Sequence, residues 1–318
     1  RVVGVYAILS SVGVEQPFIS YKMRMIEQSS EQLDCTVLHH LIELEKTVNG
    51  ASEIGTLFLL PEYRKKGVGR FLSIARFMFM SLNPTRFKNR IIAEMRGVVD
   101  NSGYSPFFEE VIKPFVKIEF KDADLLSQID KSFIYDLLPK TPLILETLPI
   151  SVQKVIGKTH PLTVGAVKIL EREGFHLIDH FDVFDGGPKM EVNLQNIRVF
   201  SKMKPLRSFQ LDDHMTTKNE FLLSSGVLAD FRVCCTAANE GDTVSVMDVP
   251  SVHHCLNSGN VLNYVRLYPK SRRSQNYHLT VLDKSTSSDS SFVKHFSNWY
   301  QKASTIKHNI KFKWNNHR

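Results

Sequence analysis

Residues 59–70 read LLPEYRKKGVGR and join two contrasting patterns. Ile54–Leu60 is a short apolar run, which predicts a buried strand. Residues 69–82 carry apolar side chains at helical spacing as far as Asn83-Pro84, which predicts a helix that ends there. Two glycines one residue apart let the backbone between these elements turn tightly and approach a ligand closely. The stretch therefore predicts a strand, a tight loop and the N-terminus of a long helix.

This loop has the features of a phosphate-binding site. The N–H groups of residues 65–70 would point outward at a helix N-terminus, where unpaired donors and the positive helix end hold a pyrophosphate. Arg64, Lys65 and Lys66 add positive charge. The loop is neither a Walker loop nor a G-x-G-x-x-G dinucleotide loop. The alternative is a plain turn beside a solvated basic surface.

The rest of the chain predicts an α/β protein with two domains and a tail. We expect further strands at 2–10, 19–27, 91–95 and 175–184, short helices within 100–160 and a helix at 163–173 closed by glycine, while 30–50 fits neither period. The turn Asp185-Gly-Gly-Pro188 predicts a domain boundary. Alternating strands then predict a small all-β domain over 189–269, following a first domain over 1–188. Residues 270–318 are predicted to be a poorly ordered basic tail.

Composition and charge narrow the function classes. The chain of 318 residues is 42% hydrophobic and 23% charged, which excludes a disordered chain, a collagen and a coiled coil. The tail holds ten Lys and Arg and two Asp, so its net charge is +8, and the other 269 residues sum to −1 within the total of +7. The basic character therefore belongs to the tail and says little about the ligand of the body. No apolar run approaches 18 residues, so no membrane span is predicted.

The cysteines and the first residues suggest where and in what form the protein works. Cys35, Cys234, Cys235 and Cys255 form no C-x-x-C pair, so we expect reduced thiols, a cytoplasmic location and no metal site. The sequence opens without Met inside a predicted strand. We therefore expect a chain that lacks N-terminal elements.

Six motifs, in this order, resemble those of the arginine N-succinyltransferases, within the GNAT acyl-CoA N-acyltransferase superfamily. They are SEIGTLFL at 52–59, RFMFM at 76–80, AEMRGV at 93–98, GYSPF at 103–107, VIGKTHP at 155–161 and FDGGP at 184–188. The resemblance covers about residues 1–269 and implies a GNAT-type mixed sheet flanked by helices. It also implies transfer of succinyl from succinyl-CoA to the α-amine of arginine in arginine catabolism. Related paired subunits in some bacteria also accept ornithine.

The resemblance assigns roles to several residues. It makes His160 the proton donor, and an imidazole exchanges protons near neutral pH. Many GNAT enzymes use a Tyr four residues before the Gly-Phe that ends the last helix. Leu170 stands there and cannot donate a proton, which favours His160. The resemblance also gives Leu57 a contact with the acyl-CoA, through its main chain or its apolar side chain. The cofactor-binding residues predicted in the neighbouring loop are Lys65, Lys66, Gly67, Val68, Gly69 and Arg70.

Three charged residues complete the predicted site. Glu94 and Glu53 lie on adjacent predicted strands and could take a proton from the arginine ammonium or pair with its guanidinium. Glu94 is assigned to catalysis and Glu53 to substrate binding. Arg96 could receive the succinyl carboxylate through two hydrogen bonds. The alternatives are a structural ion pair for the glutamates and a turn-capping role for His160.

Partners and rival functions follow from the same features. We expect arginine and succinyl-CoA as substrates, no tightly bound cofactor, and no membrane or nucleic-acid partner, with homo- and hetero-oligomers both open. One rival function is a catalytically inactive GNAT-fold subunit or truncated interaction module. The other is a binder of anionic surfaces that works through the basic tail.

Overall fold

The structure is a computed structural model. It describes residues 2–64, 67–127, 132–217, 219–257, 261–267 and 277–280, the last segment by its backbone alone. Lys65, Lys66 and most of the basic tail lie outside the described residues. Among those residues, every helix is too short or too polar to cross a bilayer.

A mixed sheet of eight strands forms the first half of the described chain, and its order is β1-β4-β5-β8-β7-β2-β3-β6. Strands β4 and β5 are parallel and the other neighbours are antiparallel. The strands are β1 Gly4–Leu9, β2 Phe18–Ser30, β3 Cys35–Thr47, β4 Ser52–Leu59, β5 Arg90–Glu94, β6 Leu143–Ile144, β7 His176–Phe181 and β8 Pro188–Asn193. With helices against it, this sheet confirms the predicted α/β class.

The segment that resisted assignment from sequence is one arm of a long hairpin. Strands β2 and β3 have thirteen residues each and pair from Phe18 opposite Thr47 to Ser30 opposite Cys35. Only Tyr21 and Lys22 of β2 also pair with β7. Much of β3 is exposed, so its side chains carry no clean alternation between apolar and polar.

Helix α1 Val68–Leu82 occupies the centre of the molecule, as the apolar pattern after Gly67 predicts. Ile74, Ala75, Phe77 and Met78 of α1 are fully buried. The core around them takes in residues of both sheets. The other helices are α2 Lys113–Val116, α3 Phe120–Ser127, α4 Ser132–Leu137, α5 Ile150–Gln153, α6 Val164–Arg172, α7 Arg198–Lys202 and α8 Pro250–Leu256.

The second sheet has the order β10-β13-β12-β11-β14-β9, with β15 also paired to β12. Helix α8 packs on β11 and β12 of this sheet, and the extent of the predicted all-β domain stays a prediction. Strand β15 lies within the predicted poorly ordered tail, yet it extends the sheet. The strands are β9 Lys204–Pro205, β10 Phe209–Asp212, β11 Glu220–Ser225, β12 Arg232–Asn239, β13 Val244–Met247, β14 Asn263–Arg266 and β15 Tyr277–Thr280.

The predicted boundary at residue 188 falls inside the first sheet. Strand β8 follows the turn directly and pairs with both β5 and β7. A division by sheets therefore lies after Asn193. Because the two sheets share the core around α1, the independence of the two domains stays a prediction.

Candidate acyl-transfer site

Strand β4 leaves one of its edges open beside β5. The two strands pair only at Ser52 with Ile91 and at Glu53 with Ile92. On its other side, β4 pairs with β1 as far as Leu59, with a register shift that leaves an extra residue in β4. Thr56 stands at that shift with a φ of +47°, in the left-handed region. Past Glu53, the backbone edge of β4 toward β5 has no strand partner in the described residues.

Leu57 lies on this open stretch, immediately after the bulge residue Thr56, and its side chain is half-buried. Unpaired main-chain groups on a strand edge can hydrogen-bond an extended ligand as another strand would. The position thus suits the main-chain contact with the acyl-CoA that the resemblance implies.

The helix that follows β4 in the chain begins with a glycine cap. Gly67 caps α1 with a φ of +94°, a conformation that glycine adopts without strain. The first helical hydrogen bond runs from the N–H of Phe71 to the carbonyl of Gly67, at 2.9 Å. Within the described part of the chain, the helix therefore leaves the N–H groups of residues 67–69 without intrahelical acceptors. No acidic residue lies in its first turn to compete with an anion.

Gly69 is not required by the packing of the protein. Among the described residues, a Cβ atom built on Gly69 would meet no heavy atom within 4 Å beyond its chain neighbours and the backbone of its own helix. Space therefore exists beside this residue at the helix N-terminus. Val68 next to it is half-buried, and both residues keep their predicted role in cofactor binding.

Arg70 differs from the prediction in one respect. Its guanidinium is 7% exposed and pairs with the carboxylate of Glu220 on β11, with Nη2 2.5 Å from Oε2. The side chain thus joins α1 to the second sheet instead of facing the loop. A role for Arg70 in cofactor binding is left to its main-chain N–H. Sequence proximity to the glycines gave no sign of a partner 150 residues away.

His160 is anchored at the end of β5. Its main-chain N–H donates to the carbonyl of Arg96 at 2.8 Å, and its ring Nδ1 accepts from the N–H of Leu162 at 3.1 Å. Because Nδ1 is an acceptor, the neutral imidazole carries its proton on Nε2. The turn-capping alternative is therefore correct for Nδ1, while Nε2 remains able to donate a proton.

Glu94 and Glu53 share one face of the sheet. Glu53 lies opposite Ile92, and Glu94 is two residues beyond Ile92 on the same strand. Glu94 Oε1 lies 3.1 Å from Nζ of Lys189, whose side chain is 3% exposed. That ammonium also lies 4.1 Å from the ring centroid of Phe18. Glu94 therefore makes the ion pair that the sequence left open, and its further role in catalysis stays a prediction.

Arg96 contributes in a way that its charge did not suggest. Its side chain is exposed at the end of β5, available to an anionic group, while its carbonyl holds His160. Sequence reasoning did not identify Lys189 or Asp185. Asp185 was interpreted only as part of a turn, although its motif was among those that carried the resemblance.

Comparison with known proteins agrees with this arrangement. A family model described as arginine N-succinyltransferase beta subunit matches residues 1–199. The arginine N-succinyltransferase of Enterobacter sp. (strain 638) is 40% identical over 204 residues, which are 64% of this chain and 59% of that protein. The protein of the same name from Escherichia coli O17:K52:H18 (strain UMN026 / ExPEC) is 39% identical over 204 residues, with the same two shares. The chain thus spans about three fifths of the length of these relatives.

A solved structure supports the fold at lower identity. The arginine/ornithine succinyltransferase subunit AI from Pseudomonas aeruginosa superposes with a TM-score of 0.70 at 23% identity, covering 83% of this chain and 77% of that one. This likeness concerns the fold alone. Because the family model matches more than half of its residues, the chain belongs to the arginine N-succinyltransferase family.

Proposed function

We propose that this protein transfers succinyl from succinyl-CoA to the α-amine of L-arginine, giving N2-succinyl-L-arginine and CoA, as a step of arginine catabolism. The observation that carries the proposal is one arrangement in the first sheet. An open strand edge precedes a helix N-terminus at which the N–H groups of residues 67–69 have no acceptor within the helix among the described residues. The main-chain N–H of His160 is hydrogen-bonded just past the end of the next strand. Membership of the family supplies the acyl group and the acceptor.

The N-terminus of α1 is the part of the site that binds the diphosphate of CoA. The N–H groups of Gly67, Val68, Gly69 and Arg70 bind the CoA diphosphate, which the positive end of α1 also attracts. Lys65 and Lys66 add charge in the same loop. The pantetheine amides then pair with the open edge of β4 at Leu57, which brings the thioester level with the bulge.

The reaction forms a C–N bond and breaks a C–S bond. The neutral α-amine attacks the thioester carbonyl. As the tetrahedral intermediate collapses, the departing thiolate takes the Nε2 proton of His160 in its imidazolium form, in which Nδ1 has released the N–H of Leu162. The nitrogen of the new amide gives up its second proton, which restores the imidazolium, so His160 neither gains nor loses a proton over the reaction. Glu94, assisted by Glu53, accepts the proton that the arginine ammonium must lose, through water. Lys189 keeps Glu94 beside a positive charge, and Arg96 pairs with the succinyl carboxylate.

The test is an assay of the chain with succinyl-CoA and L-arginine, in which mass spectrometry identifies the product and a thiol reagent counts released CoA. L-ornithine in a parallel reaction reports the acceptor preference. His160→Ala should lower kcat by at least about 100-fold and leave the Kd for CoA within about 2-fold. His176→Ala is the matched control, because His176 is a 65% exposed histidine on β7.

Each outcome separates the candidate functions. A His160→Ala variant with normal turnover would remove the imidazole from the mechanism. CoA binding without any turnover in the wild type would support the inactive GNAT-fold subunit instead. Salt-dependent retention on an anionic resin that is lost with residues 281–318 would support the tail as a binding element.

The setting of the protein follows from its substrates. We propose a cytoplasmic location, which the four free cysteines and the use of a CoA thioester support. Sedimentation of the active protein would decide between a monomer, a homo-oligomer and a paired assembly. No tightly bound cofactor enters this mechanism.

A further inference from the structure

A turn of the first sheet holds the end of β5 through a buried carboxyl group. The turn spans residues 182–188 between β7 and β8, and Asp185 in it is 8% exposed. Its Oδ2 accepts from the N–H of Gly97, and its Oδ1 accepts from the N–H of Gly187, both at 2.8 Å. Both oxygens of this carboxyl group thus accept a hydrogen bond, one on each side of the contact.

The two glycines are required for this close approach. A Cβ atom on Gly97 would lie 2.3 Å from the carbonyl oxygen of Asp185. One on Gly187 would lie 2.0 Å from the carbonyl oxygen of Met95. The N–H of Met95 in turn donates to the carbonyl of Pro188 at 2.9 Å. Any side chain at either glycine would separate the turn from β5.

A single peptide group links this carboxyl group to His160. The N–H of Gly97 donates to Asp185, and the carbonyl of the same peptide group, which belongs to Arg96, accepts from the N–H of His160. In a trans peptide these two bonds point in opposite directions from one rigid plane. An orientation imposed at Gly97 is therefore transmitted directly to the backbone of His160.

A second tether joins the same turn to the same loop. The N–H of Gly157, three residues before His160, donates to the carbonyl of Gly186 at 2.9 Å. Gly186 has a φ of +66°, and a Cβ there would come within 2.9 Å of the Phe107 ring. The histidine segment is thus held at two points by one turn.

We propose that Asp185 is the positioning residue that sets the orientation of the His160 proton donor, through the peptide group between Arg96 and Gly97. The proposal rests on the function proposed above for His160. Asp185 does not touch the reacting atoms. Asp185 fixes the orientation of the peptide group whose carbonyl accepts from the main-chain N–H of His160. Loss of the Asp185 side chain therefore displaces the imidazole without removing it.

The neighbouring Asp182 supplies a matched control. Asp182 accepts from the N–H groups of Phe184 and Asp185 with the same atom, Oδ1. Asparagine at 182 therefore keeps both bonds with its amide oxygen. Asparagine at 185 has one oxygen for two N–H groups, so its NH2 must face either Gly97 or Gly187. The same substitution thus removes an acceptor from the contact between Asp185 and the glycines, whereas at 182 it keeps the two hydrogen bonds to Phe184 and Asp185.

The experiment compares D185N, D182N and the wild type in turnover and in the NMR signals of 13C-labelled histidine. His160 is assigned as the resonance that is missing from the His160→Ala spectrum. We expect D185N to lower kcat about 10- to 100-fold, with the KM for succinyl-CoA within about 2-fold, and to shift the His160 resonance. D182N should keep kcat within about 2-fold and leave that resonance in place.

Each result decides the proposal. A D185N variant with an unshifted His160 resonance, or with wild-type kcat, overturns it, and so do equal effects of D185N and D182N. If D185N does not fold, the backbone amide signals of Gly97 and His160 in the wild type are titrated with pH. A common midpoint supports the link, and independent midpoints overturn it. A wild type without turnover refutes the proposed function, while the NMR comparison still tests the position of His160.

Discussion

Substituting Gly69 by leucine should separate the stability of the protein from its affinity for CoA. In the described part of the protein, a Cβ at this position would meet no heavy atom within 4 Å beyond its chain neighbours and its own helix backbone, which leaves room for the side chain. Gly69 is the second residue of α1, and its N–H is one of those that the helix leaves unpaired. The new side chain would occupy the space that a diphosphate needs in order to reach these groups.

The substitution should raise the stability of the protein and lower its affinity for CoA. Leucine is favoured over glycine in a helix by about 0.8 kcal/mol, which raises Tm by about 2 °C in a protein of this size. A lost hydrogen bond to a charged group costs about 1.5–3 kcal/mol, which corresponds to an increase of about 10- to 150-fold in the Kd for CoA. Gly69→Leu should therefore give a protein that is at least as stable as the wild type and that binds CoA poorly.

Gly67→Leu is the informative comparison, because its backbone has a φ of +94°. A leucine there pays about 1–2 kcal/mol of backbone strain, so we expect Tm to fall together with CoA affinity. Calorimetric titration with CoA and thermal unfolding measure both quantities on each variant. A folded Gly69→Leu variant that binds CoA with wild-type affinity would refute the assignment of the diphosphate to this helix N-terminus.

Three further predictions concern buried ionisable side chains. Glu220→Ala should destabilise the protein by about 3–5 kcal/mol in urea unfolding, because it removes one partner of the buried pair with Arg70, and an unchanged midpoint would contradict this. Arg76 is 3% exposed, burial lowers its pKa to about 10, and no carboxylate pairs with it among the described residues. Arg76→Met should therefore leave Tm unchanged or raise it, and a fall of several degrees would contradict this prediction. Burial raises the pKa of Asp185 to about 8, so the native state keeps a proton that the unfolded chain releases above about pH 4. Its contribution to the unfolding free energy should fall as the pH rises between these values, and D185N should remove that part of the slope in urea titrations at pH 5 and pH 9.

Local patterns in the sequence predicted local structure well. Helix α1, its glycine cap and the strand before it follow from apolar spacing and backbone preference, which neighbouring residues determine. The thirteen-residue strand from Cys35 to Thr47 did not, because its pairing with β2 decides its conformation more than its own side chains do. The sequence also predicted a ligand contact for the charged side chain of Arg70. Its actual partner, Glu220, could not be foreseen because it is remote in sequence.

Within the candidate site, local sequence predicted the diphosphate-binding loop but not the residues that position His160, and the difference has a physical basis. An anion can be held by consecutive N–H groups of one loop, so the diphosphate site is local and can be found from a dozen residues. A proton donor must be aimed to within a fraction of an ångström, which one loop does not achieve alone. Here the aim of His160 depends on segments 94–97, 157–160 and 184–188, which only the folded sheet brings together. The Asp-Gly-Gly-Pro turn looks the same in sequence whether it ends a domain or grips a neighbouring strand. Gly187 in this turn is decisive only because Met95 and Gly97 approach it closely, and Gly186 only because Phe107 does.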